Sequence, residues 1–327
     1  MELRQLRYFV QVVESGSLAK ASKLIYIAQP ALSRQLAKLE AEIGKPLLLR
    51  SARGVVPTAG GLALYKHAKF LLRHVSHAVY AAREDSPVAG MVTVGLSPAT
   101  GCVLGLPLLL ALRAQHPAIV LNVVEGPSGH LYDMTRAGTL DVAILFESSP
   151  ALGMSVEPLI EEELALIMAA DAEPPGGGAV PSVADLAGLP LILATRAHRT
   201  RRYLEAEFER LKLPLNLAAE IDSLPLSLAA VRHGLGATIQ PLTALRGEAH
   251  PEAFRAVALG AAGLTRSCYL YGPGPEQQFP AAAVVLSTIK ELVEQLARSG
   301  AWAGTLPAPP PRHGDDGGDG GGSGAKP

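Results

Sequence analysis

Cysteine, tryptophan and uninterrupted apolar sequence are all scarce in this chain. The two cysteines, Cys102 and Cys268, lie far apart and form no CxxC pair, which argues against a zinc cluster or a disulfide framework. The longest apolar stretch, residues 104–112, contains Gly105 and Pro107 and is shorter than the roughly 18 residues of a membrane span. The N-terminus is charged and lacks the apolar segment of an export signal. We therefore expect a cytoplasmic protein that does not enter a membrane.

Recognisable catalytic patterns are missing as well. No GxSxG, Walker or GxGxxG pattern occurs. His67, His74 and His77 share one helical stretch, but no carboxylate or cysteine completes a metal-binding set with them. Cys102 could be a thiol sensor or simply a small buried residue. The acidic run 161–163 could suggest acid–base chemistry, yet a charge run that opens a strand is usually solvated. We expect no enzyme, no metal and no cofactor.

Charge is distributed unevenly along the 327 residues, a length that favours two or three domains. Residues 1–90 hold 13 Lys and Arg against 6 Asp and Glu, a net charge of +7. Residues 91–327 hold 16 against 24, a net charge of −8. This asymmetry favours a head that binds a polyanion on an acidic body, although basic surfaces also occur where no nucleic acid binds.

The first 58 residues predict a winged helix-turn-helix. Apolar residues recur at helical spacing in three short segments, and Gly16-Ser17 separates the first two while Pro30 opens the third. Residues 47–50 and 54–57 have the pattern of two short strands, which would form a wing beside the third helix. The outer face of that helix would present Pro30, Arg34 and Lys38, with Gln29 at its start.

A long helix is predicted over residues 58–83. One stripe of apolar side chains runs along it, too long for a small head to cover, so a second copy of the same helix is the simplest partner. The predicted dimerisation residues are Leu64, Ala68, Leu71, Leu72, Val75 and Val79.

Residues from about 90 onward predict an α/β domain. We expect strands near residues 91–95, 119–124, 141–145, 164–168, 191–194, 217–221, 236–240 and 267–271, separated mostly by helices. Residues 299–327 are rich in Pro, Gly and Asp, and we expect them to be disordered.

Particular residues then carry a family resemblance. The sequences Gly16-Ser17-Leu18, Gln29-Pro30-Ala31-Leu32-Ser33-Arg34-Gln35, Leu47-Leu48-Leu49-Arg50 and Pro57-Thr58-Ala59-Gly60-Gly61 resemble the N-terminal domain of LysR-type transcriptional regulators. Two later segments, residues 136–144 and 231–239, look like parts of that family's effector domain. The resemblance covers roughly residues 1–298, and residues 27–33 look most similar to the nitrogen assimilation control subgroup.

The resemblance implies a fold and a division of the chain. The expected fold is an N-terminal all-α winged helix-turn-helix (1–58), a linker and dimerisation helix with a hinge (59–89), and a C-terminal α/β two-lobed domain (90–298). That domain would resemble type 2 periplasmic binding proteins. Its first lobe would comprise residues 90–158 and 268–298, its second lobe 159–267, with residues 156–159 and the segment near Cys268 as hinges.

The resemblance also implies which residues meet double-stranded promoter DNA. Residues of the third helix would read bases, wing arginines would hold phosphates, and two helix-capping hydroxyls would lie near the backbone. A merely solvated polar face is the alternative. The candidates are Gln29, Pro30, Ser33, Arg34, Lys38, Arg50, Arg53, Ser17 and Thr58. Ala28 stands where the family usually has Ser or Thr, which should cost about 1 kcal/mol of helix-cap stability.

A ligand cleft is expected between the lobes, at loops that follow strands. Its candidate residues are Ser97, Pro98, Ala99, Thr100, Gly126, Ser128, Phe146, Thr195, Arg196 and His198. Such donors beside an arginine favour a small anionic effector, but residues 196–202 could equally be a solvated basic helix start, and an empty cleft is also compatible with the family.

The sequence thus predicts a homodimeric or homotetrameric DNA-binding regulator that contacts RNA polymerase and responds to a small molecule. Effector binding would change the spacing of paired heads and so the bend of the DNA. The competing class is a solute-binding or enzymatic two-lobed protein with an accessory head.

Overall fold

The structure is a computed structural model, and it describes residues 1–307 apart from 52–53, 82–87, 150, 152, 177–180, 260–262 and 275–276. The first 57 residues form three helices and a two-stranded wing. They are α1 (Leu3–Ser15), α2 (Leu18–Leu24), α3 (Gln29–Ile43), β1 (Leu48–Ser51) and β2 (Gly54–Pro57). The predicted winged helix-turn-helix is confirmed.

The helices of the head end where the sequence predicts. Ser17 caps α2, because its hydroxyl accepts a hydrogen bond from Lys20 N at 3.3 Å. Gly44 terminates α3 with a φ of 75°, a conformation that suits glycine. Phe9, Leu32 and Leu36 lie almost fully buried between the helices and hold them together.

A close backbone approach joins the wing to the next helix, α4 (Ala59–Ala81). A Cβ atom added at Gly61 would lie 1.9 Å from the Leu47 carbonyl oxygen, far inside van der Waals contact. At Gly60 the nearest atom would be the Thr58 hydroxyl oxygen at 3.8 Å, an ordinary contact. The chain therefore requires glycine at position 61 and tolerates a methyl group at position 60.

We expect Gly61→Ala to destabilise the head by about 2–3 kcal/mol, because backbone must move to admit the methyl group. Gly60→Ala is the matched control, and it should be neutral or stabilise by about 0.5–1 kcal/mol since alanine favours a helix. Urea unfolding of the full chain, followed by circular dichroism, measures both. Equal stability of the two variants would contradict the close approach.

The stripe on α4 is partly covered by its own chain. Ala68 is fully buried, and Leu64 packs half-buried against the core of the head. Leu71 is 40% exposed, and Leu72 and Val75 are half-buried. The side chain of Val79 lies outside the described residues. The part of the stripe near Leu71 therefore has an apolar surface that a partner could cover.

The body is built on a curved mixed sheet. Its strand order is β10-β6-β11-β5-β3-β4, with β9 paired to β6 outside this path, and β3 lies parallel to both β4 and β5. A short parallel pair, β7 and β8, lies apart. The strands are β3 (Gly90–Leu96), β4 (Ile119–Glu125), β5 (Val142–Leu145), β6 (Met154–Ala169), β7 (Leu191–Leu193), β8 (Leu217–Glu220), β9 (Thr238–Pro241), β10 (Phe254–Ala258) and β11 (Thr265–Pro273).

Helices connect and cover these strands. They are α5 (Pro98–Thr100), a π-helix (Gly101–Gly105), α6 (Leu106–Gln115), α7 (Ser128–Arg136), α8 (Val183–Leu186), α9 (Arg199–Arg210), α10 (Leu224–Arg232), two 3-10 helices (Leu242–Gly247 and Pro251–Ala253) and α11 (Pro280–Arg298). The stretch 98–115 is long and apolar enough, by composition alone, to span a membrane. Leu104, Leu108 and Leu112 on it are buried in the main core of the body, whereas Leu106, Leu109 and Leu110 are exposed.

All eight predicted strands of the body are present, but two strand segments were not predicted. The strand β6 begins at Met154, ten residues earlier than expected, and β10 was missed. Along β6 the pairing with β11 skips one residue, since Cys268 faces Ile160 and Tyr269 faces Pro158. This irregularity falls at the predicted hinge. The division into two lobes at these points stays a prediction.

The expectation of disorder from residue 299 is wrong for residues 299–307. Trp302 is fully buried in the main core of the body, and Thr305 pairs with Glu161 of β6. Trp302 also donates a hydrogen bond from Nε1 to Glu162 at 2.6 Å. A large aromatic residue with a buried hydrogen-bond partner outweighs the Pro and Gly content of its neighbours. Residues 308–327 lie outside the described residues.

The buried carboxylate of Glu162 corrects a second expectation, that the acidic run is solvated. Its Oε1 accepts from Trp302 and from Thr243, and its Oε2 accepts from Arg266 at 2.6 Å and from the thiol of Cys268. The side chain is 0% exposed, whereas Glu161 and Glu163 face outward. Four donors on one carboxylate tie the C-terminal segment to β6 and β11.

Candidate nucleic-acid interface and ligand cleft

Helix α3 presents a polar outer face. Gln29, Pro30, Arg34 and Lys38 are exposed, whereas Ser33 is half-buried. Among the described residues, Arg34 has no hydrogen bond or ion pair, so its guanidinium is free to bind an external acceptor. Lys38 makes only a loose ion pair with Glu2, at 3.5 Å between exposed side chains, which water screens strongly.

The start of α3 shows the expected missing cap. Ala28 offers no side-chain hydrogen bond, and Pro30 occupies the first turn. Proline in that turn lacks an N–H that would otherwise need an acceptor, which offsets part of the loss. The N–H groups of Ala31 and Leu32 both donate to the Ala28 carbonyl oxygen, at 2.9 and 3.1 Å. The positive end of the helix dipole lies at this helix end, where a DNA phosphate would be favourable.

A hydrogen-bonded link connects the wing to α3. Arg50 donates from Nη1 to the Ser33 hydroxyl at 3.0 Å, and its Nη2 lies 3.7 Å from Glu40 Oε2. The other Glu40 oxygen accepts from the backbone N–H groups of Leu47 and Leu48 at 2.8 and 3.1 Å. Glu40 thus fixes the start of the wing and holds Arg50 beside the recognition helix. The sequence analysis missed this role of Glu40.

The remaining DNA-binding candidates have separate structural roles. Thr58 caps α4, because its hydroxyl accepts from Gly61 N at 2.9 Å, and Ser17 caps α2 as described. Arg53 lies outside the described residues. Tyr26, which was not predicted as a site residue, is 97% exposed in the turn before α3 and has a φ of 54°, rare for an aromatic residue.

A narrow cavity of about 40 Å³ lies in the body between residues of the predicted first lobe and residues of the predicted second lobe. The structure brings five of the predicted cleft residues to its wall, namely Ser97, Pro98, Ala99, Phe146 and His198. Among the residues that the sequence analysis missed, Arg201, Asp222, Gln240 and Arg266 also line it.

His198 is a partly buried titratable group on the wall of this cleft. Burial lowers the pKa of its imidazole, the positive charge of Arg266 lowers it further, and the carboxylate of Asp222 opposes both effects. The imidazole is therefore neutral at pH 7. Burial alone would raise the pKa of Asp222, but hydrogen bonds from the Thr195 N–H and hydroxyl outweigh it and lower the pKa.

The other predicted cleft residues do not reach this cavity. Thr100 is buried and bonds to Ser97 at 2.8 Å between the hydroxyl oxygens. Thr195 is occupied by Asp222, and Gly126 lies in the turn after β4. The prediction that Arg196 lines the cleft is wrong, because its side chain is 75% exposed, pairs with Glu205 and lines a different surface groove. The buried arginine of this run is Arg201.

Ser128 instead belongs to a contact between the starts of α7 and α9. Its hydroxyl accepts from Arg199 N at 3.1 Å, and the Arg199 guanidinium pairs with Glu147 at 2.8 Å. Gly129 N donates to the Ala197 carbonyl at 3.2 Å, and a side chain at Gly129 would collide with that oxygen. These bonds hold the start of α9 against α7 and the loop after β5.

Cys102 has no sign of an activated thiol. Burial raises its pKa first, and the carboxylates of Glu125 and Glu248 raise it further. A raised pKa leaves less of the nucleophilic thiolate at pH 7 than an ordinary cysteine has. The thiol lies near Gly247, where it packs as a small side chain.

Comparisons with known proteins match both parts of the chain. The profile of the bacterial regulatory helix-turn-helix protein, lysR family, matches residues 3–62, and that of the LysR substrate binding domain matches residues 85–294. The chain is 37% identical over 248 residues to the nitrogen assimilation regulatory protein Nac of Klebsiella aerogenes, covering 75% of this chain and 80% of the relative. Nac of Escherichia coli is 36% identical over the same shares.

Solved structures agree with the fold. A full-length variant of OxyR from Pseudomonas aeruginosa superposes with a TM-score of 0.71 at 22% identity, covering 94% of this chain and 99% of that one. Full-length CbnR in complex with its target DNA gives a TM-score of 0.65 at 22% identity, covering 90% and 99%. The suggested similarity to the nitrogen assimilation control subgroup is confirmed by the Nac relatives. The chain belongs to the LysR family of transcriptional regulators and is not an enzyme.

Proposed function

We propose that the protein binds promoter DNA as a homodimer or homotetramer and that a small molecule in the interlobe cleft controls this binding. The observation that carries the proposal is the outer face of α3, where Gln29, Pro30 and Arg34 are exposed side by side. Among the described residues, the Arg34 guanidinium has no hydrogen-bond or ion-pair partner. Gln29 can pair with adenine and Arg34 with guanine in the major groove, while Arg50 and Arg53 would hold phosphates. CbnR, a relative in fold, is bound to its target DNA.

Apolar surface supports self-association. Leu71 of α4 is partly exposed on the predicted dimerisation stripe. On the body, β4 is the last strand of its sheet, and apolar side chains stand exposed on it and on the neighbouring α6. They are Leu106, Leu109, Leu110, Val120 and Val123. Two separate apolar surfaces allow each copy to contact two others, as a tetramer requires.

The cleft supports control by an effector in the cytoplasm. Its walls come from both predicted lobes, and the contacts of Arg199 with Ser128 and Glu147 join the same two predicted lobes. A ligand that binds only one arrangement of the lobes shifts the protein toward that arrangement. In an oligomer this shift would alter the spacing of paired heads, the bend of the DNA and contact with RNA polymerase.

Selection of binding sites from a random DNA pool by the full-length protein tests the proposal. We expect enrichment of an interrupted inverted repeat, because two recognition helices related by a twofold axis read two half-sites about one helical turn or a multiple of it apart. Enrichment of a single half-site would contradict dimeric recognition. No enrichment at low salt would contradict DNA reading altogether.

A further inference from the structure

Three side chains link the recognition helix to the wing and back again. One carboxylate oxygen of Glu40 on α3 accepts from the backbone N–H groups of Leu47 and Leu48, where the wing begins. The other oxygen lies 3.7 Å from Nη2 of Arg50 on β1. Nη1 of Arg50 donates to the hydroxyl of Ser33, which belongs to the same helix as Glu40. The guanidinium is therefore held between two residues of the helix that would enter the DNA.

The backbone that carries Arg50 is fixed without the help of its side chain. Across the wing Arg50 pairs with Val55, which is 7% exposed and belongs to the core of the head. Val55 N also donates to the Gly16 carbonyl oxygen at 2.9 Å. A substitution of Arg50 should therefore change the contact with Ser33 and leave the wing in place.

The hydroxyl of Ser33 has one proton to donate and can accept through its oxygen. A guanidinium has donors only, so the oxygen of Ser33 is the acceptor in its bond with Arg50. A serine inside a helix often donates back to the carbonyl of the preceding turn. Among the described residues, no acceptor takes the proton of Ser33. The half-buried hydroxyl can therefore donate this proton to a group outside the chain.

We propose that Arg50, held by Glu40, is a positioning residue that fixes Ser33 as a hydrogen-bond donor to DNA. The inference rests on the DNA binding given under the proposed function, and it adds a second task to the phosphate contact expected of Arg50. The acceptors that DNA offers are N7 and O6 of guanine, N7 of adenine, O4 of thymine and the phosphate oxygens. The amino groups of adenine and cytosine are donors, which would have to compete with Arg50 for the oxygen of Ser33.

A double-mutant cycle between positions 33 and 50 tests this role. Ser33→Ala removes the donor, whereas Arg50→Lys keeps the positive charge and loses the planar fork that reaches Ser33 and Glu40 together. Fluorescence anisotropy measures the affinity of the full-length variants for the duplex obtained by site selection. We expect each single variant to bind about fivefold more weakly, the usual effect of one hydrogen bond. Arg50→Lys should add nothing once Ser33 is alanine.

Two results of this cycle would overturn the positioning role. Independent contributions would multiply, so that the double variant binds about 25-fold more weakly than the wild type. An Arg50→Lys variant with the affinity of the wild type would show that the charge alone suffices.

Salt dependence separates positioning from a general structural role. Because Arg50→Lys keeps its charge and the wing keeps its place, the slope of log K against log salt should equal that of the wild type. A smaller slope would show that the wing has moved away from the phosphates, and it would overturn the inference. A scrambled duplex identifies the acceptor of Ser33. If Ser33→Ala weakens binding to the selected duplex alone, the acceptor is a base, and if it weakens both alike, the acceptor is a phosphate.

Two glutamates of α3 supply a further variant and its matched control. Glu40→Gln removes the charge that holds Arg50 and keeps an oxygen for the two backbone N–H groups, so it should weaken binding in the wild type but not in Ser33→Ala. An equal effect in both backgrounds would overturn the role of Glu40. Glu42→Gln should bind like the wild type, because Glu42 pairs with the N-terminal amine and not with the wing.

The same titrations distinguish failure of this inference from failure of the proposed function. A wild type that does not discriminate between the selected and the scrambled duplex would contradict DNA reading itself, and the positioning role would fall with it. A wild type that does discriminate, together with a multiplicative cycle at positions 33 and 50, would overturn the positioning role alone.

Discussion

Replacing Trp302 by alanine is expected to lower the free energy of unfolding by about 3–5 kcal/mol, the usual cost of removing a fully buried tryptophan. Trp302 is 0% exposed within the main core of the body, and its Nε1 donates to the buried Glu162. Trp302→Phe should cost less, about 1–3 kcal/mol, because it keeps much of the packing and loses the hydrogen bond to Glu162. Chemical denaturation of the full chain measures both variants.

Truncation gives a matched control for this prediction. A chain that ends at Arg298 loses Trp302 and the pairing of Thr305 with Glu161, and it should be destabilised at least as much as Trp302→Ala. A chain that ends at Pro307 keeps both, and it loses only residues 308–327, which contain no large apolar side chain. We expect the second truncation to match the full chain. Equal stability of the two truncated chains would show that the C-terminal segment does not hold β6.

Loss of this segment should also disturb Arg266, which lines the narrow cleft. The carboxylate of Glu162 accepts from Trp302 on one oxygen and from Arg266 on the other. Removing one donor leaves the carboxylate with fewer hydrogen bonds in a buried position, so its remaining contacts must readjust. The side chain of Glu162 therefore links the C-terminal segment to Arg266 on the wall of the narrow cleft.

The head could be predicted almost completely from the sequence because its signals are local. Helix caps, proline in a first turn and apolar spacing each act within a few residues, and Ser17, Pro30 and Gly44 mark the helix ends that the structure shows. The role of Glu40 could not be predicted in the same way. It depends on the wing folding back so that Leu47 N and Arg50 meet a residue of α3.

In the body, composition gave wrong predictions of exposure where one residue is buried and its neighbours are not. Glu161, Glu162 and Glu163 look like one solvated run, yet a strand alternates its faces, and only the middle carboxylate points inward. Interpreting residues 161–163 as part of a strand, with Glu162 on the same face as apolar neighbours, would have predicted that this carboxylate is buried. The single tryptophan in a Pro- and Gly-rich tail was a comparable signal.

Which arginines line the cleft depends on the phase of helix α9 and on pairing between distant strands. Of the run 196–202, Arg201 is buried against Glu205 and Glu220, while Arg196 faces water. Arg266 became a cleft residue because β11 pairs with β6, a contact between segments about a hundred residues apart. No local pattern contains that information.

Arg34→Ala is expected to weaken binding to the selected DNA site about 5- to 150-fold, which corresponds to the 1–3 kcal/mol of a bidentate arginine–guanine contact. Because Arg34 has no partner among the described residues, the variant should fold like the wild type. Binding to a scrambled sequence should change much less. Fluorescence anisotropy with both duplexes over a range of salt concentrations measures the two effects.

Lys38→Ala is the contrasting variant on the same face of α3. If Lys38 neutralises a phosphate, its removal should weaken binding to both duplexes alike and reduce the dependence of log K on log salt by about 0.9. Arg210→Ala, on α9 of the body, should change neither quantity. If Arg34→Ala instead lowers the affinity for both duplexes equally and also reduces the salt dependence, Arg34 binds the DNA backbone, and base reading must then rest on Gln29 and the turn that carries Tyr26.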